Sequence, residues 1–146
     1  MADEQQLLDL IANSQQGILA AVTGGGYPHL TNVLYVWDPG ERTARVSTTA
    51  DRVKARILRR DPRAALHVAG SHFFAYAVAE CDAHSSDVAS TPGDEVCREL
   101  LQVHSAFYGE QEETAFFQQM IDARRLVVRL RVRRLYGIVL AEPPGT

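Results

Sequence analysis

A chain of 146 residues, 46% of them hydrophobic, is long enough to bury a core without disulfide or metal staples, and its length predicts a single domain over residues 1–146. The formal net charge of -3 argues against a nucleic-acid partner, because dedicated nucleic-acid binders usually draw phosphate affinity from a basic balance. Cys81 and Cys97 stand in no CxxC or CxxH arrangement, the start MADEQQLL lacks the character of a signal peptide, and charge or glycine interrupts each apolar segment, so a reduced, cytoplasmic protein with no membrane partner is expected.

Asp3 to Asn13 places Leu7, Leu8, Leu10 and Ile11 on one helical stripe, with acids at its start. Gly17 to Thr23 is an apolar run too short for a lone helix and is followed by GGGYP, which predicts a buried strand and a turn. Tyr27 to Trp37 alternates Leu30, Asn32, Leu34 and Val36 against His29, Thr31, Val33, Tyr35 and Trp37, the pattern of one long strand. Asn32 is the polar member of an apolar face, and a buried amide needs a partner, so it is a satisfied core group or part of a site. The turn Asp38 to Glu41 predicts antiparallel pairing with the next strand, Thr43 to Thr48.

Val46 to Arg63 carries the strongest chemical signal. A hydroxyl run, Ser47, Thr48 and Thr49, leads into a helix bearing Arg52, Lys54, Arg56, Arg59 and Arg60. Hydroxyls at a strand end, unpaired N–H groups at a helix start and a lysine in the first turn together suit a phosphate. The competing reading is a solvated helix, with Val53, Ile57 and Leu58 facing the core and the basic side chains facing water. Both readings remain open on the residues alone.

Asp61-Pro62 stops this helix, and Ala64 to Ala69 follows as a buried strand containing His67, which has no second ligand at metal-site spacing. From His72 onward the alternation puts Phe74, Tyr76, Val78 and Glu80 on one face and Phe73, Ala75, Ala77, Ala79 and Cys81 on the other. The aromatics suit a planar ring, and the small residues suit close approach of another surface. Ser85 to Arg124 shifts to helix formers: Thr91 to Glu95 is a start signal, Val96, Leu100, Leu101 and Val103 form a core stripe, and Gly109 breaks it. Glu112 to Arg124 is a second helix, with Phe116, Phe117, Met120 and Ile121 as packing. Arg125 to Tyr136 alternates Leu126, Val128, Leu130 and Val132 against Val127, Arg129, Arg131 and Arg133, a strand with one wet, positive face, and Pro143 and Pro144 end the fold.

This order predicts an α+β, mainly β protein: an antiparallel barrel with attached helices. GxSxG, HExxH and GxxxxGK[ST] are absent, and Gly24, Gly25 and Gly26 do not make GxGxxG, so any chemistry is expected from a cofactor rather than from a protein nucleophile or metal.

Four segments in this order, PHLTNVLYVWDP, VSTTADRVKARILRRDPRAAL, FAYAVAEC and RRLVVRLRVRRLYGI, resemble the split β-barrel (FMN-binding-like) family of pyridoxamine-phosphate-oxidase-like proteins. The likeness is closer to its actinobacterial branch that uses the deazaflavin coenzyme F420, and KxRxLRRDPR at Lys54 to Arg63 is its most specific piece. The resemblance implies a homodimer with two cofactor clefts, each built from both chains, and the strand with the small-residue face Ala75, Ala77, Ala79 and Cys81 beside the dimer cleft. It implies that Ser47, Thr48, Thr49 and Lys54 hold the cofactor phosphate, that Arg52 and Arg56 lie near its acidic tail, and that Asn32, Val33 and Tyr35 line the ring. Phe74 and Tyr76 would come from the other subunit. Ile57 stands where relatives often carry asparagine, and Phe74 where they carry tryptophan. The implied activity is hydride transfer from reduced F420 to an unsaturated, enone-like small molecule, with the proton from solvent or from Tyr35 or Tyr76. The alternatives are an FMN enzyme of the same fold or a protein that binds deazaflavin or flavin without turnover.

Overall fold

The computed structural model describes residues 2–141, so the expected ending at Pro143 and Pro144 lies outside the described residues. In chain order the elements are α1 (Glu4–Ala12), β1 (Gln16–Val22), β2 (Pro28–Leu34), β3 (Val36–Asp38), β4 (Thr43–Thr49), α2 (Val53–Arg60), β5 (Arg63–Ala69), β6 (Ala75–Ser85), α3 (Glu95–Tyr108), α4 (Glu113–Asp122) and β7 (Arg125–Val139). The strands form one sheet in the order β2-β1-β5-β6-β7-β4-β3, with every neighbouring pair antiparallel.

Closure of this sheet follows from one residue. The expected long strand Tyr27 to Trp37 is two strands, β2 and β3, which lie at opposite edges of the sheet with only Tyr35 between them in sequence. A chain cannot cross the width of seven strands in one residue, since consecutive Cα atoms are about 3.8 Å apart. The sheet therefore curls until its edges meet, giving the antiparallel split barrel that the sequence predicts. Tyr35 is the corner post: it is fully buried, and its hydroxyl donates to the carbonyl of Ile11 at 2.6 Å. Burial pushes its pKa up to about 12 against a smaller opposing effect of Ser14. The expectation that Tyr35 lines a cofactor ring or donates a proton is thereby corrected, because its hydroxyl is sealed in the core and already spent.

Alternation then assigns the faces. Inside the barrel lie Leu19, Val33, Val46, Leu66, Leu126 and Leu130, joined by Leu7 and Ile11 from α1. Each such Leu, Ile or Val contributes about 1.5–3 kcal/mol by leaving water. Asp3 caps α1 in a reciprocal capping box with Gln6. The small residues Ala75, Ala77, Ala79 and Cys81 face this interior, not another subunit. Their size lets α1 and α2 pack close against β6. On α2 the buried side chains are Ala55, Ile57 and Leu58, whereas Val53, at the first turn, is 49% exposed.

Outside the barrel, two further expectations change. Leu30, Asn32 and Leu34 are exposed rather than core-facing, because Val33 and Tyr35, on the other face of the same alternation, take the inward places. The wet face expected for β7 is half covered: Val127 is fully buried under α3 and α4, in a second cluster with Leu100, Cys97, Phe116, Phe117 and Met120. Arg129 on the same face pairs with Glu99 of α3. Asp94 caps α3 and accepts from the backbone N–H groups of Ser90, Thr91 and Cys97, and Gly109, at φ +77°, ends it. β6 starts three residues later than the alternation suggests, with His72 to Phe74 in the turn before it.

Candidate functional site: a cationic cavity between the barrel and the third helix

The outward face of β4 carries Arg45, Ser47 and Thr49, while Val46 and Thr48 point inward. Pairing of β4 with β7 sets Thr49 opposite Arg125, and the Arg125 Nη1 donates to Ser47 Oγ at 3.0 Å. The chain then turns into α2, bringing Arg52 and Lys54 to the same place. These groups form one end of a cavity of about 410 Å³. The helix α3 roofs it with Val103, His104, Phe107 and Tyr108, and Thr31 to Leu34 of β2 form the opposite wall. The size falls within the range of small-molecule and cofactor pockets, about 300–1,000 Å³.

The electrostatics ask for an anion. Arg52, Lys54 and Arg125 converge on the cavity, and none of them forms an ion pair among the described residues. Lys54, the only lysine in the chain, has its pKa lowered by burial and then by repulsion from Arg52 and Arg125. The one nearby acid, Asp51, accepts from the Thr49 hydroxyl at 2.7 Å, and that hydrogen bond holds its carboxyl below the usual range. An anionic group in the cavity would relieve repulsion among three cations and meet the N-terminal end of α2.

Seven of the residues expected from sequence line this one cavity: Asn32, Val33, Ser47, Thr48, Thr49, Arg52 and Lys54. All three hydroxyls are less free than expected, Ser47 being held by Arg125 and His104. Thr48 is buried beside Val46, and Thr49 is engaged by Asp51. Arg56 is exposed on α2 and does not line the cavity. Phe74 and Tyr76 are not part of it either: Phe74 packs edge-on to Phe73, and Tyr76 stacks on His67 at 5.5 Å on the outer sheet face. The sequence reading missed Arg125, His104, Phe107 and Tyr108. His104 Nε2 lies 2.9 Å from Ser47 Oγ, a contact between residues 57 positions apart that no local pattern announces.

A phosphate-bearing, ring-containing cofactor fits this arrangement. The uncompensated cations suit the phosphate, and the apolar and aromatic walls from Val33, Phe107 and Tyr108 suit a planar ring. Comparison with known proteins agrees on the fold that positions it. Residues 3–138 match the model of the pyridoxamine 5'-phosphate oxidase family. The chain belongs to that family. Among solved structures, a conserved hypothetical protein from Mycobacterium tuberculosis superposes with a TM-score of 0.73 at 24% identity, over 100% of this chain and 94% of the other. An F420 reductase gives 0.67 at 21% identity, over 93% and 98% of the two chains. The heme storage protein of Vibrio cholerae gives 0.65 at 16% identity, over 94% and 96%. At these identities the likeness bears on the pyridoxamine 5'-phosphate oxidase fold, which thus carries proteins with different ligands.

Proposed function

We propose that this member of the pyridoxamine 5'-phosphate oxidase family is an oxidoreductase that binds coenzyme F420 in the cationic cavity and reduces an unsaturated, enone-like small molecule. The observation that carries the reading is the convergence of Arg52, Lys54 and Arg125 on one cavity with no ion pair to any of them among the described residues. Ser47 and Lys54 would hold the phosphate, with Arg125 beside them. Arg56 continues the positive surface from Arg52 along α2 outside the cavity, which suits a long acidic tail better than the single terminal phosphate of FMN. The F420 reductase among the fold neighbours supports the same choice.

Bound there, the reduced deazaflavin supplies a hydride to an electron-poor carbon. The chain's own part is positioning and exclusion of water: α3 roofs the cavity with Phe107 and Tyr108, and β2 backs it with Val33. With Tyr35 sealed in the core, the proton that completes the reduction comes from solvent or from a group that a second copy brings, Tyr76 among them.

A homodimer belongs to this reading. Asn32, Ile18, His67, Val78 and Tyr136 form one row across five strands on the outer face of the sheet. Leu30 and Leu34 of β2 and Ile138 of β7 flank it, and Leu30 is 63% exposed. An apolar face of this breadth marks an interaction site. Asn32, Val33 and Leu34 border both this face and the cationic cavity, so a second copy seated on it would complete the cavity as a cleft.

Fluorescence titration with F420, FMN and, because of the heme-binding neighbours, heme tests the cofactor assignment. Micromolar F420 binding with weaker FMN binding is expected, followed by loss of reduced F420 that strictly requires an enone or quinone. Binding of FMN alone would make the protein a flavin enzyme or carrier. F420 binding without substrate-dependent turnover would make it a deazaflavin-binding protein, and binding of neither would overturn the proposal.

A further inference from the structure

Ser47 Oγ is held from two sides, by Arg125 Nη1 at 3.0 Å and by His104 Nε2 at 2.9 Å. A serine hydroxyl has one proton to donate and two lone pairs to accept with, and arginine only donates. The state of His104 therefore decides what Ser47 offers the cavity. With Nε2 bare, Ser47 gives its proton to the ring and has none for an anion. With Nε2 protonated, the ring and Arg125 fill both lone pairs, and the Ser47 proton is left to point at a ligand.

The His104 ring has little freedom to turn away. It meets Phe116 of α4 edge-on at 5.3 Å and Tyr108 of its own helix at 5.9 Å. The charged groups around the cavity are Arg125 on β7 and Arg52 and Lys54 at the start of α2, with Asp51 beyond them tied to Thr49. The β2 wall contributes the uncharged Thr31 and Asn32, and α4 the uncharged Phe116. Burial, and then Arg125, hold the imidazole below its usual pKa, which leaves the ring neutral at neutral pH when no anion is bound. A negative charge within about 4–6 Å acts in the opposite direction and favours the imidazolium.

We propose that His104 is a positioning residue of the anion site: on anion binding its ring takes one proton from solvent, donates from Nε2 to Ser47, and so aims the Ser47 hydroxyl at the bound anion. This rests on reading the cavity as an anion site, and not on the identity of the cofactor. A neutral ring that carried its proton on Nε2 would donate equally well without any pH dependence, so it is the proton uptake that fixes the sign and that the test reads. Affinity is highest below the pKa of the free ring and falls as pH rises to the pKa of the ring in the complex, by about tenfold for each pH unit between the two.

The test titrates sulfate, which keeps both charges across this range, into the full chain between about pH 5.5 and 7.5. Imidazole NMR resonances report binding, and His104 is assigned by its loss in His104→Gln. In the wild type the sulfate dissociation constant is expected to rise about tenfold across the range, and sulfate is expected to raise the His104 titration midpoint. His104→Gln keeps a permanent amide donor near the Nε2 position, so its affinity should be retained and independent of pH, whereas His104→Phe should bind weakly throughout. A flat wild-type profile, a His104 midpoint that sulfate does not move, or an unchanged slope in His104→Gln would overturn the proposal. Absence of any sulfate binding would remove the anion-site reading with it. Sulfate binding with the expected profile but without F420 binding would leave this inference standing and remove only the cofactor assignment.

Discussion

Lys54 and Tyr35 show how differently two residues from the same sequence argument can end. Lys54 reaches the cavity, where burial and two arginines lower its pKa. A larger share of its amine is therefore neutral at a given pH than in an ordinary lysine. As the only lysine in the chain, it should react with an amine-directed reagent at mildly alkaline pH faster than a model lysine, and sulfate or F420 should protect it; peptide mapping by mass spectrometry reads both effects. An unreactive Lys54, or one that ligand does not protect, would contradict its placement. Tyr35 instead belongs to the barrel. Tyr35→Phe removes one of the two hydrogen bonds to the Ile11 carbonyl, which keeps the Ser14 N–H, and should cost about 0.5–1.5 kcal/mol in urea unfolding, the usual net worth of one hydrogen bond. Cofactor affinity of the folded variant should not change. A loss of turnover beyond the loss of folded protein would restore Tyr35 as a candidate proton donor.

Among the elements, α3 matters most to the site, because it supplies the roof and His104 while being anchored at its far end by one cap. Asp94 accepts three backbone N–H bonds. Partial burial raises its pKa, but the N–H groups of Cys97, Ser90 and Thr91 together lower it further, to about 2. A carboxyl depressed in the folded state stabilises above its unfolded pKa, and the contribution is lost as pH falls from about 4 to about 2. Asp94→Ala should cost about 1 kcal/mol near neutral pH and flatten the stability profile over that acid window; thermal unfolding as a function of pH checks both. An unchanged acid profile would show that the cap is not coupled to stability. The strands and helices themselves were largely legible, since period-two alternation, DPGE, Asp61-Pro62 and Gly109 each act locally. What sequence could not show was how these pieces meet. Nothing in YPHLTNVLYVW marks Tyr35 as the corner where one strand becomes two, and the covered half of β7 depends on α3 and α4 folding back over it. Arg125 reads as one more basic residue on a wet strand until its register with Thr49 places it at Ser47.

For the whole molecule, the outer sheet face is the surface the proposed homodimer would use, since the small-residue face of β6, expected beside the dimer cleft, is buried within the chain itself. A stable interface usually buries about 800 Å² per partner, a size that five strands can supply. Sedimentation should show a dimer at micromolar concentration, and Ile138→Lys should shift it toward monomer while leaving the barrel folded, because Ile138 is outside the core. A wild-type monomer would contradict this. The central claim is narrower: the positive stretch of α2 forms a cofactor site and not merely a solvated surface. The most direct measurement compares F420 affinity in Lys54→Ala and Arg59→Ala, two charge deletions on one helix of which only the first lines the cavity. Lys54→Ala should lose about 1.5–3 kcal/mol, or roughly ten- to a hundredfold in dissociation constant, the range for a hydrogen bond to a charged group, while Arg59→Ala should stay close to wild type. Equal losses in the two variants, or no loss in either, would mean that the basic stretch acts as a diffuse field or as plain surface, and would contradict the account.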